Sequence, residues 1–278
     1  CAKDTYSCRL TIQAPVINLC YSAQAARYTD KSLRDLIKIF SDQCGYDHVE
    51  FDTPKEEAPN SLLDIKRVFQ QGTENDYDFF CKLLTEAGLY YLSYTPDESG
   101  DKPSEPVLRI YSKNNFSPVS HLAAPKDFPN TYTTNGSATD CLLMKNWSCG
   151  NKTGTDQVVV RGQNGGEFYT RAAGVENGNM VLRNDNSYLT ESQLGETADN
   201  YLAAAKFKQS GCHADTYWLT AITGKQICVQ PFSDNNKIKI WITSATTNIK
   251  IQNKTSGVNG DELLVSFSGI QDEVRAAT

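Results

Sequence analysis

The chain has 278 residues, 39% of them hydrophobic and 22% charged, with a formal net charge of −6. That composition excludes a disordered chain and leaves room for one large domain or two ordinary ones, each burying its own core. No apolar run approaches the roughly 18 residues that a membrane helix needs, and the acidic balance argues against nucleic acid, whose phosphates call for a basic patch.

The chain opens at Cys1 without a methionine or a signal-peptide pattern, so it reads as a trimmed or processed piece; a mature lipoprotein also begins with cysteine. "TYSCRLTIQAP" alternates apolar and polar residues as a strand does. "SLRDLIKIFSDQCG" follows, with Leu33, Leu36, Ile37 and Phe40 on one face of a helix over 32–44. Ser32 with Asp35 resembles a capping box, and Gly45 sits where a left-handed C-terminal cap belongs. "ENDYDFFCKLLTEAGLYYLSY", 74–94, is a second helix feeding a strand. Asn75 is a good N-cap. Asp76 and Asp78 lie at the positive end of the helix dipole, and Phe79, Phe80, Leu83, Leu84 and Ala87 make the buried face. Gly88 stops the helix. The two acids could be a catalytic pair only with burial or a partner that separates their pKa values; as first-turn carboxylates they are expected to face water. These two helix–glycine–strand runs look like one mixed α/β unit.

"TPDESGDKPSEP", 95–106, is a polar loop leading into the strand "PVLRIYS", and 113–140 is irregular. "DQVVVRG" is a strand, and "RGQNGGEF", 161–168, has the glycines of a hairpin turn without the lysine of a phosphate cradle. A third helix spans 190–210. Thr190 and Gln193 start it, Leu194, Ala198, Tyr201, Leu202 and Ala205 form its stripe, and Gly211 ends it. "YWLTAI", "KQICVQPF", "KIKIWITSAT", "NIKIQN" and "ELLVSFSGI" then alternate, with turn chemistry at 233–237 and 256–262, as a meander of antiparallel strands over 217–270.

Nine cysteines occur without any C-x-x-C pair. They read as reduced, partly buried small hydrophobes, with one disulfide open to them in an oxidising compartment. No metal or cofactor site is expected. Five Asn-x-Ser/Thr triplets, at Asn115, Asn135, Asn146, Asn151 and Asn253, are close to what chance gives in so Asn-, Ser- and Thr-rich a chain. Of the three histidines, His48 lies in "YDHVEF", His121 in a loop and His213 beside Cys212; neighbours on a strand face opposite sides, so Cys212 and His213 are not a nucleophile and its base. Trp147, Trp218 and Trp241 sit in strand-like runs, where core packing is the default and a sugar-binding platform the sharper alternative. Nothing in the residues makes a positive case for an enzyme.

"QGTENDYDFFCKLLTEAGLYYLSY" resembles the signature of the VgrG spike proteins of type VI secretion and of related contractile-phage baseplate hubs, including late-control gene D proteins. Gln71, Glu74, Asp76, Asp78, Phe79, Leu83, Leu84, Glu86, Gly88 and Tyr91 match it. Lys82 stands for an arginine and Asn75 for the capping serine, whereas Gly72 and Thr73 depart from an aromatic and an arginine. Elsewhere "YSCRLTIQAPVINL" looks like the end of the first hub barrel, Gly224 occupies the family's Pro-Gly turn, and "LLVSFSGIQDEVRA" is similar to the closing strand before the spike. The family carries further strands before this region and, in VgrG, an OB-like domain and a β-helix after it, none of which is in this chain.

The resemblance implies an α+β, mostly β fold of tail-hub-like β-barrels with a helix-containing α/β insert. Residues 1–28 would end the first barrel, 29–112 would form the insert, and 113–278 would supply the remaining barrel strands, the long helix and the second barrel. It also implies a mechanical role, with no catalytic residue: a homotrimer that adapts a hexameric tail tube to a spike and contacts baseplate components, without stable membrane insertion. Such a protein would be assembled in a bacterial cytoplasm and then delivered across a target membrane, or reside in a virion tail. A surface carbohydrate-binding β-domain, or an enzyme built on Asp76, Asp78 or Cys212 and His213, are the readings from other classes.

Overall fold

In a computed structural model, the described residues are 13–52, 61–95, 105–112, 131–134, 141–184, 189–218, 223–230, 237–250 and 262–271. They form three packed units: a helix-bearing α/β unit, a small sheet carrying one long helix, and a closed barrel. The strand expected before Pro15 lies outside these residues. "PVINLCY" is a 3-10 helix, Pro15–Tyr21, rather than more of that strand; proline at its first position fixes a helical φ and gives up an N–H that has no partner there.

The α/β unit holds α1 (Leu33–Cys44), α2 (Asp76–Glu86) and the sheet β2-β5-β4, made of His48–Asp52, Val107–Ser112 and Leu89–Tyr94. β2 runs parallel to β5 and β4 antiparallel to it. Beside them β1 (Arg27–Lys31) pairs with β3 (Arg67–Gln70). The caps are those the residues predict. Ser32 and Asp35 form a reciprocal capping box, Gly45 takes φ 79°, and Asn75 accepts from the Asp78 amide at 2.7 Å. Both helices press their apolar faces into one core that includes Leu36, Ile37, Phe40, Phe79, Phe80, Leu83 and Leu84, with the 3-10 helix contributing Val16 and Leu19. Burying each such side chain is worth about 1.5–3 kcal/mol, so the aromatic and leucine pattern fixes the arrangement.

The second unit is β10-β8-β9 (Met180–Asn184, Gln157–Asn164, Glu167–Gly174) under α3 (Glu191–Gln209). β8 and β9 form the expected hairpin through Gly165 and Gly166, at φ 60° and 91°, the two positive values that a tight primed turn requires. Val158, Val160 and Ala173 face Leu194, Ala198 and Leu202 of α3. Thr190 and Gln193 make the second capping box. The far end of α3 differs from expectation: Gly211 is no cap. Ser210 is already extended, and the helix passes directly into β11 (Ser210–Thr216).

The barrel closes in the order β11-β14-β13-β12-β6-β7, with β6 Thr131–Thr133, β7 Leu142–Asn151, β12 Gln226–Gln230, β13 Ile238–Lys250 and β14 Glu262–Gln271. Inward residues alternate along each strand and fill the interior with Tyr132, Met144, Ala214, Val229, Ile240, Ile242, Val265 and Phe267. The fold is therefore mostly β with a closed barrel, as the resemblance implies. Three details differ. "KIKIWITSAT" and "NIKIQN" contribute to one 13-residue strand, because β14 pairs with both halves across a register shift between Ile242 and Ser244. "GCHADT", unremarkable in sequence, is a central barrel strand. Tyr217 and Trp218 follow it outside any strand, and 219–222 lie outside the described residues.

The units touch. A Cβ on Gly224, in the turn before β12, would come within 2.8 Å of Leu92 on β4, so the barrel turn seats on the α/β sheet without room for a side chain. The Tyr90 ring of β4 packs on Phe207 of α3 at 5.7 Å.

Candidate functional site

The signature residues converge at both ends of α2. At its start, Asp76 is buried at 2% exposure and Asp78 is exposed. This corrects the expectation that both acids face water. The Gln71 amide nitrogen donates to one Asp76 oxygen at 2.6 Å, and the Ser22 hydroxyl donates to the other at 2.5 Å. The Asp76 backbone N–H donates back to the Ser22 carbonyl at 2.9 Å, and the Gln71 backbone N–H to the Ala26 carbonyl at 2.9 Å. A carboxylate may be buried only when its lone pairs are met, and here they are met by the segment after the 3-10 helix and by the end of β3. Asp76 thus ties three chain segments together while also lying at the positive end of α2. Gln71 also donates to the Glu74 carbonyl at 3.2 Å, and the Glu74 carboxylate accepts from Gly72 N–H at 3.0 Å, shaping the turn into the helix.

Phe79, Leu83 and Leu84 are core residues. The Phe79 ring stacks on Tyr28 and meets Phe40 edge-on. Burial raises the Tyr28 hydroxyl pKa, with the Asp76 charge adding to it. Tyr91 shares a hydrogen bond of 3.0 Å with Tyr77, and burial raises both phenols, Tyr91 well above the ordinary tyrosine range.

At the other end of α2, Gly88 takes φ 64°. Beside it is a network that single-residue reading did not find. Glu86, 3% exposed, accepts from buried Arg67 of β3 at 2.9 Å and from the Tyr201 hydroxyl of α3 at 3.2 Å. Asn200 of α3 donates to the Glu86 carbonyl at 3.0 Å. Arg67 also stacks over Phe69, 4.4 Å from its centroid. The sequence distances, 19 residues from Arg67 and 114 from Asn200, left no local signal. So the signature brackets a rod whose first turn is tied to the 3-10 segment and whose last turn is tied to α3.

The other candidates part company. Cys212 points into the barrel at 3% exposure, whereas the His213 side chain is half exposed. His213 is 3.3 Å from the Ser268 hydroxyl and 3.9 Å from the Asp215 carboxylate. Burial works to raise the Asp215 pKa, but hydrogen bonds from Ser266 and Asn146 and the nearby His213 outweigh it and hold it low. Cys212 is bonded to Cys149, directly opposite it across β11 and β7. The pair is thus the one disulfide left open to the cysteines rather than two of the reduced thiols expected of them, and Cys212 is not a free nucleophile. Cys20, Cys44, Cys81, Cys141 and Cys228 are free thiols. Trp147 packs against the barrel core, Trp241 is buried at 5% exposure between the inward-facing Ile240 and Ile242 of β13, and Trp218 is 39% exposed. His48 is exposed beside Glu50; His121 lies outside the described residues, as do Asn115, Asn135 and Asn253. Among the described residues no group of three His, Cys, Asp or Glu could hold a metal ion, and no helix is long and apolar enough to cross a membrane.

No protein-family model and no curated protein sequence matches the chain. Among solved structures, the fold is similar to a tail protein from Neisseria meningitidis, with a TM-score of 0.57 at 11% identity over 92% of this chain and 72% of that one. It is also similar to the E. coli c3393 protein, described as a component of the type VI secretion system with structural similarity to bacteriophage T4 tail proteins gp27 and gp5. That match has a TM-score of 0.51 at 13% identity and covers 94% of this chain and 54% of the other, so the chain spans about half the length of c3393. The barrel, the α3 sheet and the tied α/β unit together have the fold of a tail protein.

Proposed function

We propose that this chain is the hub region of a contractile injection machine, a trimeric adaptor joining a hexameric tail tube to a membrane-puncturing spike, VgrG-like in type VI secretion. The observation that carries the reading is the shared fold over more than nine-tenths of this chain with a tail protein and a secretion-system component. The signature at 71–91 supports it, because its residues serve to hold elements together rather than to form a cleft. In this reading residues 1–28 end a first barrel, 29–112 form the insert packed outside the ring, and 113–278 provide the second barrel and its helix. Three copies, each presenting two barrels, match the sixfold tube to the threefold spike. The role is mechanical: Gln71, Glu74, Asp76, Asp78, Phe79, Leu83, Leu84, Gly88 and Tyr91 are scaffold residues. The partners are further copies, the tube protein, and baseplate and spike components, within a machine assembled in the bacterial cytoplasm and discharged across a target membrane. A baseplate hub of a contractile-tailed phage or prophage is the second reading, favoured by the Neisseria tail protein.

The test is native mass spectrometry and electron microscopy of the chain in its full-length context, with and without its cognate tube protein. A threefold ring capped by tube hexamers is expected. A monomer that ignores the tube protein at micromolar concentrations, or specific retention on a glycan array, would overturn the proposal.

A further inference from the structure

We propose that the Cys149–Cys212 bond is a thiol-addressable staple, opened and closed in the folded protein, whose state sets how tightly the joint between α3 and β11 is held to the barrel wall. The inference stands on its own geometry and does not depend on the hub reading.

Three observations carry it. The first is access. Cys149 is exposed while Cys212 is buried at 3%, and a cleft of about 100 Å³ opens beside the bond, lined by Cys149, Gly150, Ser210, Gly211, Cys212 and Gln271. Gly150 and Gly211 are partners in the β7–β11 register, one step from the cysteine pair. The second is placement. The bond lies two residues into β11, immediately after the helix becomes a strand. The third is what surrounds it. Lys152 N–H donates to the Gln209 carbonyl at 2.8 Å, and the Gln209 side chain donates to the Thr155 carbonyl at 2.8 Å. The chain leaving β7 is thereby bound to the last turn of α3, and the disulfide is the covalent member of that connection.

The chemistry is ordinary exchange with a low-molecular-weight thiol. Its thiolate enters the cleft and attacks Cys149 Sγ. The bond between the two cysteine sulfurs breaks, and the electron pair leaves on Cys212, which takes a proton from water. A second thiolate attacks the external sulfur of the mixed disulfide, releasing Cys149 as a thiolate that is protonated in turn, and the small thiol departs as its own disulfide. Two electrons enter the pair, and the reverse sequence with an oxidised small thiol closes it.

The experiment uses the folded full chain, incubated with reduced and then oxidised glutathione without denaturant. Alkylation with peptide mass spectrometry and amide hydrogen exchange are the readouts. The expected result is labelling of both Cys149 and Cys212 after reduction, loss of labelling after re-oxidation, and several-fold faster exchange over 149–155 and 209–213 in the reduced form. The Tm should fall by about 5–10 °C. Cys212→Ser should show the fast exchange permanently, whether glutathione is reduced or oxidised, with Cys149 carrying at most a single glutathione, while Cys228→Ser should respond as the parent does. A bond that yields only in denaturant, that does not form under oxidised glutathione, or whose opening leaves exchange at the joint unchanged would overturn the proposal. Because the parent chain is itself the principal sample, a Cys212→Ser protein that fails to fold does not remove the test.

Discussion

Gly88 at the end of α2 and Asn200 in the middle of α3 are so close that a Cβ on the glycine would lie 2.6 Å from the Asn200 side-chain oxygen. The same glycine holds φ 64°. It is therefore required twice, once by its backbone and once by its neighbour. Gly88→Ala should destabilise the protein by about 2–4 kcal/mol, combining the left-handed penalty with overpacking. Urea unfolding of Gly88→Ala, Asn200→Ala and the double variant should show the double costing at least ~0.5 kcal/mol less than the sum. Additive losses would mean that the contact carries no energy.

Asp76 and Asp78 share a helix turn and should behave very differently. Asp76→Ala strips the acceptor from Gln71 and Ser22 and should cost about 2–4 kcal/mol, because buried donors are left unmet. Asp78→Ala removes an exposed charge near the helix start, an effect of about 0.3–1 kcal/mol that added salt should erase. Chemical denaturation at low and high ionic strength distinguishes the two.

The Arg67–Glu86 pair, each side chain under 5% exposed, should be costly to break from one side only. Glu86→Ala leaves an uncompensated buried guanidinium and should lose about 3–5 kcal/mol, whereas Arg67→Met with Glu86→Leu should lose much less. Thermal unfolding of the two variants checks this; equal losses in the single and the double would refute it.

Alkali should attack the α/β unit. Burial pushes the Cys44 thiol up to about 11 from 9.0 and raises Tyr28, Tyr46, Tyr77, Tyr90 and Tyr91 above 10.0. Below pH 9 these groups are neutral whether folded or not, so their stabilising contribution is complete. Above it the unfolded chain ionises first, and that contribution is lost as pH climbs through the folded-state values. Stability should fall steadily from about pH 9 upward, with tyrosinate absorbance rising together with unfolding rather than ahead of it. Cys44 should resist alkylation at pH 8 until the chain unfolds.

Acid should act on the barrel as well. Hydrogen bonds from Ser266 and Asn146 and the nearby His213 overcome burial to hold Asp215 below its ordinary 3.8. Its contribution is therefore present above that value and disappears as pH drops through the lower folded one. Asp215→Asn should lose part of the pH dependence of stability below about pH 4 and leave the alkaline limb unchanged.

The caps were legible because their signals are local: Ser32 with Asp35, Asn75 with Asp78, and Thr190 with Gln193 all close within three residues. Strands rich in valine, isoleucine and aromatics were equally plain. What the sequence hid was distant or contextual. Asp76 has a sufficient local role at a helix start, and nothing near it announces Ser22, 54 residues away. Cys212-His213-Ala214-Asp215 has little intrinsic preference for a strand, and becomes one because β7 and β14 flank it on both sides. The polar centre of β13 divides it in sequence into two apolar-alternating runs, but its ladder with β14 continues through both across a register shift. Cys149 and Cys212 are 63 residues apart and face each other only once the barrel closes.

The peptide bond between Gln209 and Ser210 belongs to a rod on one side and a stave on the other, with no residue spared for slack. A sideways push on the rod would arrive at the stave undiminished, since there is no swivel in which it could dissipate. That continuity makes the long helix a handle on the barrel rather than an ornament beside it.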